Sequence, residues 1–306
     1  MFLYISIALT AVYVAIIIYY LVGWLRLQTF PSSQASNTKL SIVIPARNEA
    51  TKIGALLNDL RQQDYPAHLF EIIVIDDHST DNTTEVAHNS GLENLIVIDL
   101  KSALQNQDTI ISYKKKAIET GIAQASGDLI ITTDADCRVG EKWLYTIAAF
   151  YEKTGCKMIS APVSYFPAKS FLEKFQTLDF LSLIGIGGAA IQNGMPSLCN
   201  GANLAYEKKA FEEVGGFAGI DNIASGDDML LLNKMHKRFP GKIGFVKNAD
   251  AIVYTHAENT FSRFWQQRLR WNSKSTAYPD KSITAILVMA YLFNVSIVAN
   301  VIAGIF

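Results

Sequence analysis

The 306-residue sequence contains few charged residues and few cysteines. Only 18% of its residues are charged and 50% are hydrophobic, whereas ordinary soluble domains carry about 25% charged residues. The formal net charge of −1 argues against a nucleic-acid partner, because such proteins present an excess of basic residues. The three cysteines include no Cys-x-x-Cys pair, which disfavours a structural zinc site and fits a reducing compartment. The composition therefore favours a membrane protein whose polar part lies inside the cell.

Charge is missing altogether from residues 2–25 and 283–306. A helix of about 20 residues crosses the hydrocarbon layer of a bilayer, so we predict transmembrane helices over residues 1–25 and 283–306. A cleavable signal peptide is the alternative for the first stretch, but no Lys or Arg precedes it and it exceeds the usual apolar run of about 7–15 residues. The second stretch reaches residue 306 without a polar tail.

The residues that flank the two apolar stretches predict an orientation. Arg26 and Lys39 follow the first stretch, and Lys274 and Lys281 precede the second. Basic residues favour the cytoplasmic side of a membrane. We therefore expect a protein of the cell inner or plasma membrane, with residues 26–282 in the cytoplasm and both termini outside.

The region between the apolar stretches has the pattern of an α/β domain. After a linker at 26–39, strand-like runs occur at 40–44, 71–75, 95–99 and 129–133, with helix-like segments between them. This alternation predicts βαβ units and a mainly parallel sheet flanked by helices, in a domain over residues 40–260. No Gly-x-Gly-x-x-Gly follows the first strand, which disfavours a dinucleotide-dependent oxidoreductase.

Acidic residues follow two of the predicted strands. Asp76 and Asp77 end one run, and Asp134 and Asp136 end another. Open α/β sheets bind ligands at the carboxyl ends of their strands, and two aspartates one residue apart can share a divalent cation. The alternative is that these residues only terminate strands and cap helices.

Two later clusters also combine a functional and a structural interpretation. Asp227 and Asp228 precede an apolar run, so they are candidates either for an acid–base role or for the cap of a helix. The segment 261–282 contains Gln267, Arg270 and Trp271. This aromatic and basic segment is typical of an interfacial helix, yet the same residue types also bind phosphate and stack on sugar rings. The apolar segment 171–191 is either a core helix or a membrane-facing element.

Six segments in a fixed order resemble the membrane-bound branch of the family 2 inverting glycosyltransferases, which includes the synthases of cellulose, chitin and hyaluronan. They are SIVIPARNE at 41–49, VIDDHSTD at 74–81, KKKAIETG at 114–121, SGDLIITTDAD at 126–136, GANLA at 201–205 and VGGF at 214–217. The resemblance implies a GT-A-like nucleotide-diphospho-sugar transferase fold. It also implies inverting transfer from a nucleotide sugar, expected to be a UDP-sugar, to a hydroxyl of a lipid-linked or growing glycan.

The resemblance assigns the donor side of the site. The residues that it implies for nucleotide binding are Pro45, Ala46, Asn48, Glu49, Asp76, Asp77, Lys114 and Asp134. Within this set, Asp76 or Asp77 would meet the base and Glu49 the ribose. Asp136 would be the firmer ligand of Mg²⁺ or Mn²⁺, with Asp134 in support. Tyr113 stands where the family has a glycine before the lysine, which puts one expected backbone contact in doubt.

The acceptor side is assigned in the same way. Asp228 matches the general base, and Asp227 stands where the family usually has Glu. Gln267, Arg270 and Trp271 match the Gln-x-x-Arg-Trp motif. The resemblance then implies a diphosphate contact for Arg270, stacking on the acceptor sugar for Trp271 and a polar contact for Gln267.

Two alternatives are weighed against this interpretation. One is a polyprenyl-phosphate sugar synthase, whose phosphate acceptor needs no strong base; Asp228 and the Gln-x-x-Arg-Trp motif disfavour it. The other is a non-catalytic nucleotide-sugar sensor or scaffold, which the presence of every expected acidic residue disfavours. The sugar, the acceptor and the oligomeric state are left open by the motifs.

Overall fold

An α/β domain lies between two long apolar helices in the computed structural model, which describes residues 2–31, 37–104, 111–223, 225–272 and 281–304. The first helix, α1, is Phe2–Arg26, and the last, α11, is Lys281–Ala303. The ten strands of the described part form one sheet of seven strands and one of three.

The first half of the large sheet is parallel. Its strands are β1 (Leu40–Ala46), β2 (Phe70–Asp76), β3 (Leu95–Asp99) and β4 (Leu129–Thr132), in the spatial order β3-β2-β1-β4. Strands β1, β2 and β4 are buried along almost their whole length, as their continuous apolar runs predict for a sheet covered on both faces. All four predicted runs are therefore strands, and the predicted fold class is confirmed.

The second half of the sheet adds one antiparallel strand. Strand β8 (Leu204–Glu207) runs antiparallel to β4 and to β6 (Met158–Ser160). Strand β9 (Ile243–Phe245) then pairs in parallel with β6. The sheet is thus mainly parallel, and β8 brings the segment before it, which contains Gly201, to the carboxyl end of β4 because the two strands run in opposite directions.

Helices cover both faces of the large sheet. They are α2 (Ile53–Arg61), α3 (Thr83–His88), α4 (Leu100–Ala103), α5 (Tyr113–Gln124), α6 (Trp143–Thr154), α8 (Lys208–Glu213) and α9 (Met229–Arg238). Helix α5 lies so close to the sheet that a Cβ on Gly121 would be 2.7 Å from Ile75 Cδ1 and 2.8 Å from Val43 Cγ1. This close packing fixes the helix that carries Lys114 against the strands that carry the acidic residues.

A small sheet links the metal-binding segment predicted at 134–136 to a long helix. It consists of β5 (Arg138–Val139), β7 (Val163–Tyr165) and β10 (Val253–Thr255), in the order β5-β10-β7. Helix α7 (Phe171–Gln192) follows β7, and the ring of Tyr165 stacks on that of Phe180 at 4.5 Å. The small sheet therefore forms a continuous support between the turn at Asp136 and α7.

The two terminal helices pair with each other. Both are long and apolar enough to cross a membrane. Ser6 Oγ donates to Asn300 Oδ1 at 3.0 Å, and the rings of Tyr13 and Phe293 stack at 4.0 Å. Contacts between early residues of α1 and late residues of α11 show that the helices are antiparallel, so the α/β domain is attached to the same end of the pair at both connections.

The predicted linker and interfacial segment are described in part. Residues 32–36 and 273–280 lie outside the described residues. Phe30 is buried, and its ring lies 5.1 Å from that of Phe150, while Thr38 Oγ1 donates to Glu152 at 2.7 Å. The described ends of the linker thus pack on the domain, and residues 261–272 form helix α10 (Phe261–Asn272).

Candidate active site

The loops after β1 and β2 are joined by hydrogen bonds through Asn48. Asn48 has a φ of 56°, a left-handed conformation that asparagine tolerates better than most residues. Its backbone N–H donates to Ser79 Oγ at 2.9 Å, and its Oδ1 accepts from the N–H of Thr80 at 2.8 Å. Pro45 and Ala46 are in register with Ile75 and Asp76. These residues therefore form one rigid edge at the carboxyl ends of two neighbouring strands.

Asp76 and Asp77 are both buried at this edge. Asp76 Oδ2 accepts from the N–H of Ser79 at 3.3 Å, whereas its buried Oδ1 has no hydrogen-bond partner among the described residues. Asp77 Oδ1 is 2.9 Å from His78 Nδ1, and its Oδ2 is 3.9 Å from Arg47 Nη1. A buried carboxylate oxygen without a partner is costly in a folded protein, so Asp76 has the acceptor capacity that a bound ligand would use.

Glu49 and Asp136 share a lysine that the sequence did not single out. Lys52 Nζ lies 3.3 Å from Glu49 Oε2 and 3.6 Å from Asp136 Oδ2. Burial raises the pKa of Glu49, and Asp136 and Asp134 add to this effect while Lys52 opposes it. The spacing of Glu49 and Lys52, three residues apart at the start of a helix, is the sequence signal that would have indicated this pair.

Lys114 lies between the residues that the sequence analysis predicts for the donor side and those that it predicts for the acceptor side. Its Nζ lies 2.7 Å from Asp134 Oδ1 and 3.6 Å from Asp227 Oδ2. Burial lowers the pKa of Lys114, but the nearby carboxylates outweigh it and leave the pKa raised. Lys114 therefore stays a cation between two acidic groups that are far apart in sequence. Of the three consecutive lysines, it is the one that the structure places beside both acidic pairs, because Lys116 pairs with Glu119 at 3.8 Å.

Asp228 both caps a helix and faces the site. Its Oδ1 accepts from the N–H of Met229 at 2.7 Å at the start of α9. Its Oδ2 accepts from the N–H of Gly201 at 3.3 Å. Gly226, with a φ of 80°, makes the left-handed turn that precedes the pair Asp227–Asp228. The structural and functional interpretations of this pair are thus compatible, because the cap bonds only one of the two oxygens.

Gly201 lies so close to Asp227 that a side chain at this position would be crowded. A Cβ at this position would lie 3.1 Å from Asp227 Oδ2 and 3.6 Å from Asp228 Cβ, and 3.1 Å is well inside the usual contact distance between nonbonded carbon and other heavy atoms. The close approach of this backbone to both carboxylates explains the glycine.

We expect Gly201→Ala to lower turnover by about tenfold, roughly 1.4 kcal/mol of transition-state stabilisation, because the added methyl crowds the Asp227 carboxylate next to Asp228. Steady-state kinetics and thermal unfolding would check this. The matched control is Gly140→Ala, since a Cβ there meets no atom within 4 Å. Equal turnover of the Gly201→Ala variant and the unchanged protein would contradict the close contact.

The donor set around Asp134 and Asp136 fits a cation that is bound partly by its substrate. Among the described residues no group of three or more His, Cys, Asp or Glu side chains could hold a metal on its own. Mg²⁺ and similar ions are commonly held by one or two carboxylates together with substrate phosphates. The turn is supported from behind, because Asp59 accepts from Arg138 Nη2 at 2.7 Å and from the N–H of Val139 at 3.1 Å.

Helix α10 packs against α7 through Trp271 and Arg268. The ring of Trp271 lies 5.9 Å from that of Phe180, and Gln267 Nε2 lies 3.5 Å from Glu258 Oε1. Arg268 pairs with Asp179, and its guanidinium lies 4.5 Å from the Trp271 ring centroid.

Arg270, by contrast, is exposed. The helical period of α10 puts residues 267, 268 and 271 on one face, since residues three and four apart share a face. This periodicity would have identified Arg268, to which the sequence analysis assigned no role.

The fold and the acidic strand ends together define a GT-A-like nucleotide-diphospho-sugar transferase. The match with known families is direct. Residues 41–215 match Glycosyl transferase family 2, and residues 129–302 match Glycosyl transferase family group 2. The first match covers more than half of the chain, and the chain belongs to glycosyl transferase family 2, an enzyme family. The family resemblance and the enzyme class inferred from the motifs are confirmed.

Several curated proteins are similar over most of the domain. The poly-beta-1,6-N-acetyl-D-glucosamine synthase of Staphylococcus epidermidis is 26% identical over 235 residues, which cover 76% of this chain and 53% of that protein. The probable glycosyltransferase YdaM of Bacillus subtilis is 26% identical over 248 residues, or 76% of this chain and 54% of that one. The chain thus spans about half the length of these relatives.

Two solved structures share the fold. The mannosyltransferase PcManGT of Pyrobaculum calidifontis, in complex with GDP-Man and Mn²⁺, superposes with a TM-score of 0.70 at 19% identity. That superposition covers 99% of this chain and 87% of the other. TarS of S. aureus, residues 1–349, gives a TM-score of 0.54 at 20% identity over 71% of this chain and 60% of that one.

Proposed function

We propose that this protein transfers a sugar from a nucleotide sugar to a hydroxyl group with inversion at the anomeric carbon. The observation that carries the proposal is the ion-pair chain through Lys114, which joins Asp134 on the donor side to Asp227 on the acceptor side. It holds the segment of Asp134 close to the pair Asp227–Asp228, which supports a diphosphate site and a base at one edge of one sheet. Attack on the face opposite the leaving diphosphate requires these two groups to flank a single sugar.

The donor is proposed to be a UDP-sugar. Asp76 offers a buried acceptor oxygen where an N–H of a base would donate, and Glu49 lies on the adjacent strand end for the ribose hydroxyls. TarS has been solved with UDP-GlcNAc, which supports a UDP donor, whereas PcManGT was solved with GDP-Man.

Asp136 and Asp134 are proposed to hold Mg²⁺ or Mn²⁺ together with the donor diphosphate. Such a cation would neutralise the charge that develops on the leaving nucleoside diphosphate. The Mn²⁺ complex of PcManGT supports this assignment on the same fold. Lys52, which lies 3.6 Å from Asp136, and Lys114 supply further positive charge beside the same segment.

Asp228 is proposed to accept the proton of the acceptor hydroxyl as it attacks. One of its oxygens is fixed by the helix cap and the other by Gly201 N–H, so the carboxylate is oriented before the acceptor binds. Positioning a base in this way is what general base catalysis requires. A single displacement of this kind inverts the anomeric centre and needs no covalent intermediate.

The acceptor is proposed to be lipid-linked or a growing glycan at the cytoplasmic membrane face. Helices α7 and α10 expose large apolar side chains: Phe171, Phe175, Leu178 and Leu181 on α7, and Phe261, Trp265 and Leu269 on α10. A surface patch of this kind is typical of a membrane contact. The antiparallel pair of terminal helices supports a topology with both termini on the same side, opposite the domain. The basic residues that flank the helices favour the cytoplasm for the domain and hence the outer side for the termini.

The polyprenyl-phosphate sugar synthase remains the second candidate within this family. A phosphate acceptor is already anionic and would need no base. The orientation of Asp228 by two hydrogen bonds favours the hydroxyl acceptor instead.

The experiment that tests the proposal is an incubation of membranes containing the protein with a panel of nucleotide sugars, followed by mass analysis of the lipid and glycan fractions. We expect one UDP-sugar to yield a product that contains one or more added sugars. The absence of sugar transfer from every donor, with nucleotide still bound, would favour the sensor alternative. A product in which the sugar is attached to a polyprenyl phosphate would establish the second candidate.

Arg270 provides a test of whether α10 belongs to the site or only to the membrane surface. A guanidinium that binds diphosphate through two parallel hydrogen bonds cannot be replaced by the point charge of lysine, whereas a side chain at the interface tolerates lysine well. We expect Arg270→Lys to lower turnover by at least about tenfold while membrane insertion is unchanged.

The matched control for Arg270→Lys is Arg263→Lys, an exposed arginine in the first turn of the same helix, which we expect to retain full turnover. Near-normal turnover of Arg270→Lys would show that α10 acts as an anchor and not as part of the site.

A further inference from the structure

Lys115 is a buried lysine with an unusual set of partners. It lies on α5 directly after Lys114 and is only 1% exposed. Its ammonium donates to the backbone carbonyls of Ile220 at 2.7 Å, Ile223 at 2.6 Å and Ser225 at 3.0 Å. A lysine ammonium has three donors, so three carbonyl oxygens of one short segment satisfy it.

The segment that Lys115 binds leads straight to the candidate base. Ser225 is followed by Gly226, whose positive φ turns the chain, and then by Asp227 and Asp228. Burying an ammonium is costly unless hydrogen bonds compensate for the lost hydration. The three carbonyls can compensate only while the segment keeps its fold around the lysine, so the position of Lys115 and the fold of the segment depend on each other.

Two other side chains hold the earlier part of this segment. Glu119 Oε1 accepts from the N–H of Phe217 at 3.3 Å. Lys234 Nζ, on α9, donates to the carbonyls of Gly216 at 2.6 Å and Ala218 at 2.8 Å. These bonds fix residues 216–218, whereas Lys115 binds the part nearest the carboxylates.

We propose that Lys115 is a positioning residue for the acceptor-side carboxylates, a role that rests on the proposed function of Asp228. Lys114 binds the donor-side Asp134 and Lys115 binds the segment that carries Asp227 and Asp228. Because the two lysines are adjacent on one rigid helix, α5 sets the distance between the donor segment and the base. Lys115 touches neither substrate in this account and acts only through the segment 220–228.

The experiment compares Lys115→Met with the unchanged full chain in membranes or detergent. Removing the ammonium takes the side-chain donor away from three carbonyls, and that of Ile220 keeps only the 3.4 Å bond from the N–H of Ile223. The segment should therefore open locally. We expect amide hydrogen exchange of residues 217–228 to rise by about tenfold or more. We also expect kcat to fall by about tenfold or more while the Kd for UDP changes by less than about twofold, because the donor side keeps its contacts.

The matched control is Lys208→Met. Lys208 Nζ also donates to a backbone carbonyl, that of Ala125, at 2.7 Å, but next to the N-terminal end of β4. We expect this control to leave both the exchange of residues 217–228 and kcat unchanged.

The possible results separate the proposal from the proposed function. If amide exchange of residues 217–228 is unchanged in Lys115→Met, Lys115 does not hold the segment. If exchange rises but kcat is unchanged, Lys115 holds the segment but does not position the carboxylates for catalysis. If the protein without any substitution transfers no sugar, the proposed function is wrong. The exchange measurement alone then decides whether Lys115 holds the segment.

If Lys115→Met does not fold, Lys115→Arg is the second variant with which to test the proposal. The planar guanidinium of arginine keeps the positive charge, but its N–H groups cannot point at three converging carbonyls as the lysine ammonium does. We expect an intermediate rise in exchange confined to residues 217–228 and a kcat between those of the unchanged protein and a tenfold loss. Exchange and kcat identical to those of the unchanged protein would overturn the proposal.

Discussion

Asp228→Asn is expected to lower kcat by about 10²–10⁴, the usual range for loss of a general base, while the Kd for UDP stays within about twofold. Asparagine is as good a helix cap as aspartate, so the bond to Met229 N–H and the start of α9 should survive. The neutral amide cannot take a proton from the acceptor. Steady-state kinetics with the active donor and calorimetric titration of UDP would measure the two effects.

The control for this variant is Asp250→Asn, which makes the same chemical change at an exposed position before β10 and should retain full turnover. An unchanged kcat in Asp228→Asn would show that Asp228 is not the general base, and it would favour a phosphate acceptor or a non-catalytic role. An equal loss of UDP affinity and kcat would show instead that the residue helps to bind the donor.

Asp136→Ala is expected to abolish turnover, and chelation of divalent cations should abolish it in the unchanged protein. Without the carboxylate, the charge that builds up on the leaving diphosphate loses its counter-charge, which contributes several kcal/mol to such reactions. Titration of Mg²⁺ and of Mn²⁺ into chelated protein would measure the recovery and identify the preferred ion.

Asp128→Ala is the matched control, because Asp128 is an exposed aspartate at the opposite end of the same strand. We expect it to behave as the unchanged protein does. Full activity in excess chelator would contradict the metal assignment, whatever the effect of Asp136→Ala.

The fold was predictable where a local pattern determines it. The runs at 40–44, 71–75, 95–99 and 129–133 all contain strands, because continuous apolar and β-branched residues identify strands of a parallel sheet. Three of these strands are buried, and the edge strand β3 is partly exposed. Strands β5, β7 and β10 have two or three residues each. Segments this short carry too few residues for a periodicity, so their pairing depends on tertiary contacts that no local pattern records.

The positions of the candidate site residues were predictable in the same way, whereas their contacts were not. The acidic residues were identified because they stand at strand ends and in family motifs. In the structure Lys114 joins Asp134 to Asp227, and Lys52 joins Asp136 to Glu49. Lys114 matched a motif, and the i,i+3 spacing of Lys52 and Glu49 indicates that pair. The contact of Lys52 with Asp136 and those of Lys115 with the carbonyls of Ile220 and Ser225 are visible only in the structure. Lys52 and Asp136 are 84 residues apart in the sequence, and Lys115 and Ile220 are 105 residues apart. Contacts over such separations leave no local pattern in the sequence.

The measurement that tests the central claim most directly is the anomeric configuration of the product, determined by NMR on the glycan or glycolipid formed from the active nucleotide sugar, with the Asp228→Asn variant as the paired sample. The account predicts an inverted linkage from the unchanged protein and at least about 10²-fold less of the same product from the variant. A product that retains the configuration of the donor, formed equally well without Asp228, would contradict it.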